Sequence, residues 1–134
     1  MLASCVLAAS VLFAATPARA QDLGAELKDM TFIGFQQFKE ASRVFVKTTE
    51  PVKYRVDTSR DDLIILVLEN ASISNPNNAR FLDTRFFASP VSFVQPRVIE
   101  GPSPSVQIEI RMREKVPFKT VQSDNVLALD FVRR

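Results

Sequence analysis

The side chains best suited to covalent chemistry are scarce in this sequence. It contains no histidine, so the usual general base and the commonest metal ligand are both missing. Its one cysteine, Cys5, lies near the N-terminus, and Gly24, Gly34 and Gly101 are too far apart to cradle a phosphate. Asp61 and Asp62 sit beside Ser59 and Arg60 and read as solvated turn residues. A carboxylate dyad assembled by folding is the one catalytic arrangement left open. What remains is charge placed at alternate positions within apolar runs. Arg43, Phe45 and Lys47 alternate with Val44 and Val46, Lys53 and Arg55 with Val52, Tyr54 and Val56, and Gln107, Glu109 and Arg111 with Val106, Ile108 and Ile110. That spacing puts the charges on one face of a strand and the apolar residues on the other. Such a face is either ordinary solvated surface or a surface that holds a ligand, without reacting with it, through guanidinium forks, carboxylates and rings.

The elements that carry these faces form a unit that occurs twice. Val44 to Val67 superimposes without a gap on Ile108 to Phe131 when shifted by 64 residues. Val44 then falls on Ile108, Val46 on Ile110, Val52 on Val116, Tyr54 on Phe118, Leu63 on Leu127, Ile65 on Leu129 and Val67 on Phe131. The expectation is a β domain built from two similar halves. Strands are expected over Met30 to Phe38, with a bulge at Gly34, then Arg43 to Thr48 after a turn at 39–42, and Val52 to Val56. Leu63 to Leu68 is an unbroken apolar run, which predicts a strand covered on both faces. Glu69 to Asn78 reads as a loop. The Phe-rich stretch 79–87 reads as a crossover packed over the open end of the core. Val91 to Val94 is expected to be a strand matching the Phe32 region, and Gln95 to Ser105, with Pro96, Pro102 and Pro104, a loop. The outward positions of the second copy are more polar: Phe45 corresponds to Glu109, Leu66 to Asp130 and Ile64 to Ala128.

Residues 1–20 have the form of a cleavable secretory signal, an apolar run followed by Ala18-Arg19-Ala20. Leu2-Ala3-Ser4-Cys5 also fits a bacterial lipobox, a competing reading in which Cys5 is lipidated. The rest, 21–134, suits one domain with a single core. It has no thiol, so packing alone must stabilise it. Seventeen basic residues face 15 acidic ones, and loss of Arg19 brings the net charge from +2 to about +1. No strong field argues for nucleic acid or an anionic membrane surface, and no segment predicts a transmembrane helix.

Taken together, RVFVKTTEPVKYRV, DDLIILVLENA, LDTRFFASPV, VQIEIRMREKVPFKTV and NVLALDF resemble the AMIN domain, over Leu27 to Val132. That module is found at the N-terminus of bacterial cell-wall amidases and of type IV pilus secretins. The resemblance implies an all-β fold, a small β-sandwich of two pseudo-symmetric antiparallel sheets. It also implies periplasmic location, no cofactor, and binding of peptidoglycan on the outer sheet faces. The family's Arg-apolar-apolar-apolar strand matches Arg43 to Val46, and its apolar-apolar-Asp strand end matches Ala128-Leu129-Asp130. In the first half that acidic position is Leu66, a departure from the pattern. The candidate ligand-binding residues are then Arg43, Lys53 and Arg55 on one face, and Glu109, Arg111, Lys119 and Asp130 on the other. The chain ends at Arg134, so the expectation is a module without an attached effector. Three functions stay open: an envelope-binding module, a protein–protein adaptor serving secretin or pilus assembly proteins through free sheet edges, and a periplasmic lipid carrier.

Overall fold

Among the described residues the alternation in the sequence is realised as ten strands. The computed structural model describes residues 27–133, so the signal-peptide and Cys5 readings lie outside the described residues. The strands are β1 (Lys28–Gln37), β2 (Ala41–Thr48), β3 (Tyr54–Asp57), β4 (Leu63–Glu69), β5 (Ala71–Ser72), β6 (Leu82–Asp83), β7 (Val91–Ile99), β8 (Ser105–Met112), β9 (Phe118–Ser123) and β10 (Val126–Val132). A 3-10 turn, Pro76–Ala79, links β5 to β6. The strands form two five-stranded sheets in the orders β5-β1-β2-β10-β9 and β3-β4-β8-β7-β6, called sheet I and sheet II below. All pairings are antiparallel except a two-residue contact of β1 with β5.

The halves are interleaved. Each contributes its first hairpin to one sheet and its second hairpin to the other. The centre of sheet I is therefore β2 against β10, and the centre of sheet II is β4 against β8. Val44, Val46, Leu129 and Phe131 from sheet I share the core with Leu66, Leu68, Ile108 and Ile110 from sheet II, all at most 1% exposed. Side chains of this kind contribute about 1.5–3 kcal/mol each on full burial.

The 64-residue correspondence holds for β2 with β8 and for Tyr54 with Phe118, which both pack at the edge of the core. It fails by one residue at β4. Tyr54 pairs with Leu68, whereas Phe118 pairs with Phe131. Asp57 pairs with Ile65, eight residues on, whereas the equivalent Val121 pairs with Ala128, seven on, so the connection before β4 carries one extra residue; an Asp57 carboxylate accepting from the Ser59 amide (2.9 Å) helps shape it. Because side chains alternate, that one residue reverses the strand's faces. Ile64, Leu66 and Leu68 point into the core and match Leu127, Leu129 and Phe131. Leu63, Ile65 and Val67 point outward, and the position matching Asp130 is Val67 rather than Leu66.

Four other expectations are corrected. No third layer of strand or helix covers β4 among the described residues, and the expected double cover holds only in part: of its outward residues Val67 is buried at 4% exposure between β3 and β8, while Leu63 and Ile65 are half-buried. The irregularity in β1 falls between Met30 and Phe32, and Gly34 serves a different purpose. A Cβ there would lie 2.7 Å from Phe45 Cζ and 2.8 Å from Phe32 Cε1, so the missing side chain lets two rings close over the strand. Gln95 to Ile99 belongs to β7; Pro96 is tolerated because the two-residue β6 has ended and left that edge unpaired. The phenylalanines of the crossover do not fill the core: Phe81, Phe86 and Phe87 are 55%, 88% and 46% exposed.

Candidate functional site

Interleaving regroups the candidate residues. Arg43 shares the outer face of sheet I with Lys119 and Asp130, because β2 pairs with β10 and β10 with β9. Lys53 and Arg55 share the outer face of sheet II with Glu109 and Arg111, because β4 lies between β3 and β8. The expected grouping by sequence half is therefore wrong. The outward direction of these side chains holds in each case.

On sheet I the central feature is a bidentate ion pair. Arg43 Nε donates to Asp130 Oδ1 at 2.6 Å, and Nη2 donates to Oδ2 at 2.9 Å. These hydrogen bonds hold the Asp130 carboxyl below the usual carboxylate range; burial opposes the shift, and the charges of Arg43 and Lys119 add to it. The carboxylate in turn raises the Arg43 guanidinium. Arg43 also lies over the Phe38 ring, 5.2 Å from its centroid. Beside this pair Phe32 and Phe45 meet at 5.7 Å above Gly34, with Lys47 Nζ 5.8 Å from the Phe32 centroid.

Sheet II carries a different set. Glu109 pairs with Arg97 at 3.3 Å. At the end of the strands Phe93, Arg111 and Leu63 form one cross-strand row. Phe81 stacks on Phe93 at 5.0 Å with an interplanar angle of 18°. A cleft of about 280 Å³ opens at this end, lined by Arg60, Asp62, Leu63, Ser92, Arg111 and Met112. Arg60 and Asp62 are 3.5 Å apart and largely exposed. Arg111 has no ion-pair partner among the described residues.

The Phe-rich loop between β6 and β7 is a third surface feature. Its carbonyls accept from three side chains: Ala88 from Gln37 (2.7 Å) and Arg133 (3.1 Å), and Phe87 and Arg85 from Arg113. The loop is thereby pinned while Phe86 stands in solvent. Arg85 forks onto Asp83 and lowers its carboxyl to about 2.

Spacing along the chain does not mark the aromatic partners Phe32, Phe45, Phe81 and Phe93 or the cations Arg60 and Arg97 as site residues. Phe45 was visible as an outward residue between Arg43 and Lys47. The Phe81–Phe93 stack had no local signal, since it depends on β6 folding back along β7.

Among the described residues no group of three or more His, Cys, Asp or Glu side chains could hold a metal ion, and no helix is long and apolar enough to cross a membrane. Both outer faces set rings beside cations, an arrangement suited to holding a polar ligand in place. No curated protein matches the chain. The AMIN domain family matches residues 33–131, within the two-sheet sandwich and including both outer faces. Since that match spans most of the sequence, the chain belongs to the AMIN domain family.

Proposed function

We propose that this protein is a non-catalytic periplasmic module that binds peptidoglycan and so localises an envelope assembly. The observation that carries the reading is the pairing of aromatic surface with cations on both outer faces, Phe32 and Phe45 beside Lys47 and Arg43, and Phe81 and Phe93 beside Arg111. Membership of a family linked to cell-envelope binding supports it. Sugar rings present C–H faces to aromatic side chains, while the carboxylates and amides of stem peptides accept from guanidinium and ammonium groups. Each charge-assisted contact contributes about 1.5–3 kcal/mol before ordering costs, so single sites are weak and a repeating polymer makes them useful. The candidate contacts are Arg43, Lys53, Arg55, Glu109, Arg111, Lys119 and Asp130. Arg43 and Asp130 act mainly on each other, and the remaining charges are available to a ligand to differing degrees. In sedimentation with isolated sacculi at several salt concentrations, the purified protein is expected to pellet and to be released as salt rises. Failure to pellet at low salt would remove the reading.

A second reading, an adaptor serving secretin or pilus assembly proteins, is favoured by Phe86, a large ring 88% exposed on a pinned loop. Exposed aromatic anchors on preorganised loops suit insertion into a partner's pocket. Under this reading Phe86→Ser keeps sacculus binding and loses co-purification with the assembly.

A further inference from the structure

The two outer faces differ in how far their arginines are already committed. On sheet I, Asp130 occupies the Nε and Nη2 edge of Arg43, the edge that would otherwise form a bidentate contact with an incoming carboxylate. The pseudo-symmetric positions on sheet II are Gln107 and Val67, which form no ion pair. Sheet II thus lacks the internal carboxylate that neutralises the first face. Its own acidic strand residues on that face are engaged by other groups: Glu109 by Arg97, Asp83 by Arg85, and Asp57 by the Ser59 amide. Arg111 is left as an exposed guanidinium with no ion-pair partner among the described residues, and it lines the cleft of about 280 Å³ together with Arg60. Asp62 on the cleft wall offsets part of Arg60, so Arg111 carries the larger share of the positive charge. The apolar part of the lining comes from Leu63 and Met112. Beside it, Phe93 adjoins Arg111 across the strands, and Phe81, stacked on Phe93, is 55% exposed.

A planar anion fits this arrangement better than a neutral ligand does. An unspent guanidinium fork recognises a carboxylate through two parallel N–H···O bonds. The adjoining rings and the outward Leu63 offer apolar surface to the body that carries the carboxylate. We infer that the sheet II cleft is a carboxylate-binding subsite, in which Arg111 and Arg60 hold the anion and the Phe81–Phe93 platform supports the attached sugar or peptide. The inference rests on the envelope-binding reading and narrows it: one face selects for free carboxylate, and the other does not. In a peptidoglycan ligand that carboxylate has two sources, the lactyl group of a muramic sugar without its peptide, or the end of a stem peptide.

The test is an amide-resolved NMR titration of the purified protein with N-acetylmuramic acid, D-alanyl-D-alanine and N-acetylglucosamine in parallel, alongside sacculus sedimentation. One or both acidic probes are expected to shift the amides of Ser92, Phe93 and Arg111. The neutral sugar is expected to leave those amides unmoved. A response to the acidic sugar alone assigns the lactyl source, and a response to the dipeptide alone assigns the stem peptide. Arg111→Ala is expected to weaken the responding probe at least about tenfold, the loss of one charge-assisted contact. Lys39→Ala, which removes an exposed cation away from the cleft, is expected to leave the cleft response in place. Arg111→Lys, which keeps the charge and loses the fork, is expected to fall between wild type and Arg111→Ala. Equal shifts from the neutral sugar, no cleft shift from either acid, or an undiminished response in a folded Arg111→Ala protein would each overturn the subsite. Retention on sacculi with a silent cleft removes the subsite and leaves the envelope reading standing. A responsive cleft without retention does the reverse.

Discussion

Arg43 and Asp130 show what one pair of residues contributes here. The Asp130 side chain is only 8% exposed, while that of Arg43 is 35% exposed, so solvent screens part of the interaction. Asp130→Asn is expected to cost about 1 kcal/mol, and Arg43→Ala about 2 kcal/mol because it leaves a buried carboxylate unpaired. The pH dependence has a definite sign. Asp130 titrates below its unfolded value of about 3.9, so the folded state binds fewer protons than the unfolded chain in that range. The pair's contribution is complete above about pH 4 and is lost as pH falls through the lower folded value. Thermal melts of wild type and Asp130→Asn should differ by a constant interval from pH 5 to 8 and converge below about pH 4. A gap that stayed constant into acid would show that the ion pair does not stabilise the fold.

At the scale of the element, β4 decides the most. Its sequence, LIILVLE, is apolar at six consecutive positions and so gives no alternation from which to read its faces. The length of the preceding turn sets them instead. With Leu66 buried to 1% and Ile65 facing out, Leu66→Ala is expected to cost about 2–5 kcal/mol by urea denaturation and Ile65→Ala about 1 kcal/mol. The gapless repeat predicts the opposite order, so the two variants separate the registers directly. The half-buried, outward Leu63 and Ile65 also make this end of the outer face of sheet II more apolar than alternation on one buried face requires. That surplus lies next to the Arg111 cleft.

For the whole molecule the main fact is that neither half owns a complete sheet. Arg43 reaches Asp130 across 87 positions of sequence, and every central strand pairing joins one half to the other. A chain cut at residue 80 keeps β1–β2 and β3–β4 as separate hairpins with no central partner for either. Isolated two-stranded hairpins are marginal in water at best. Far-UV circular dichroism of residues 27–80 alone is expected to show no sheet signal. A folded half would mean that the interleaving is not what stabilises the domain. Such long-range pairing also predicts folding in milliseconds to seconds, the slow end of the range for domains of this size.

Local alternation was enough to read a β protein of two similar halves and the outward side of β2, β3 and β8. Strict alternation is a local property: Arg43 and Val44 must face opposite ways wherever the strand sits. The family, too, could be recognised from runs of that kind. Long-range strand pairing settled which charges share a face, because strand partners are chosen by packing across the whole chain. Asp130 therefore meets Arg43 rather than Glu109 and Arg111. It also decided the side on which β4 presents each residue and the meeting of Phe81 with Phe93. In both cases the outcome depends on turn length and chain path, which apolar spacing does not encode.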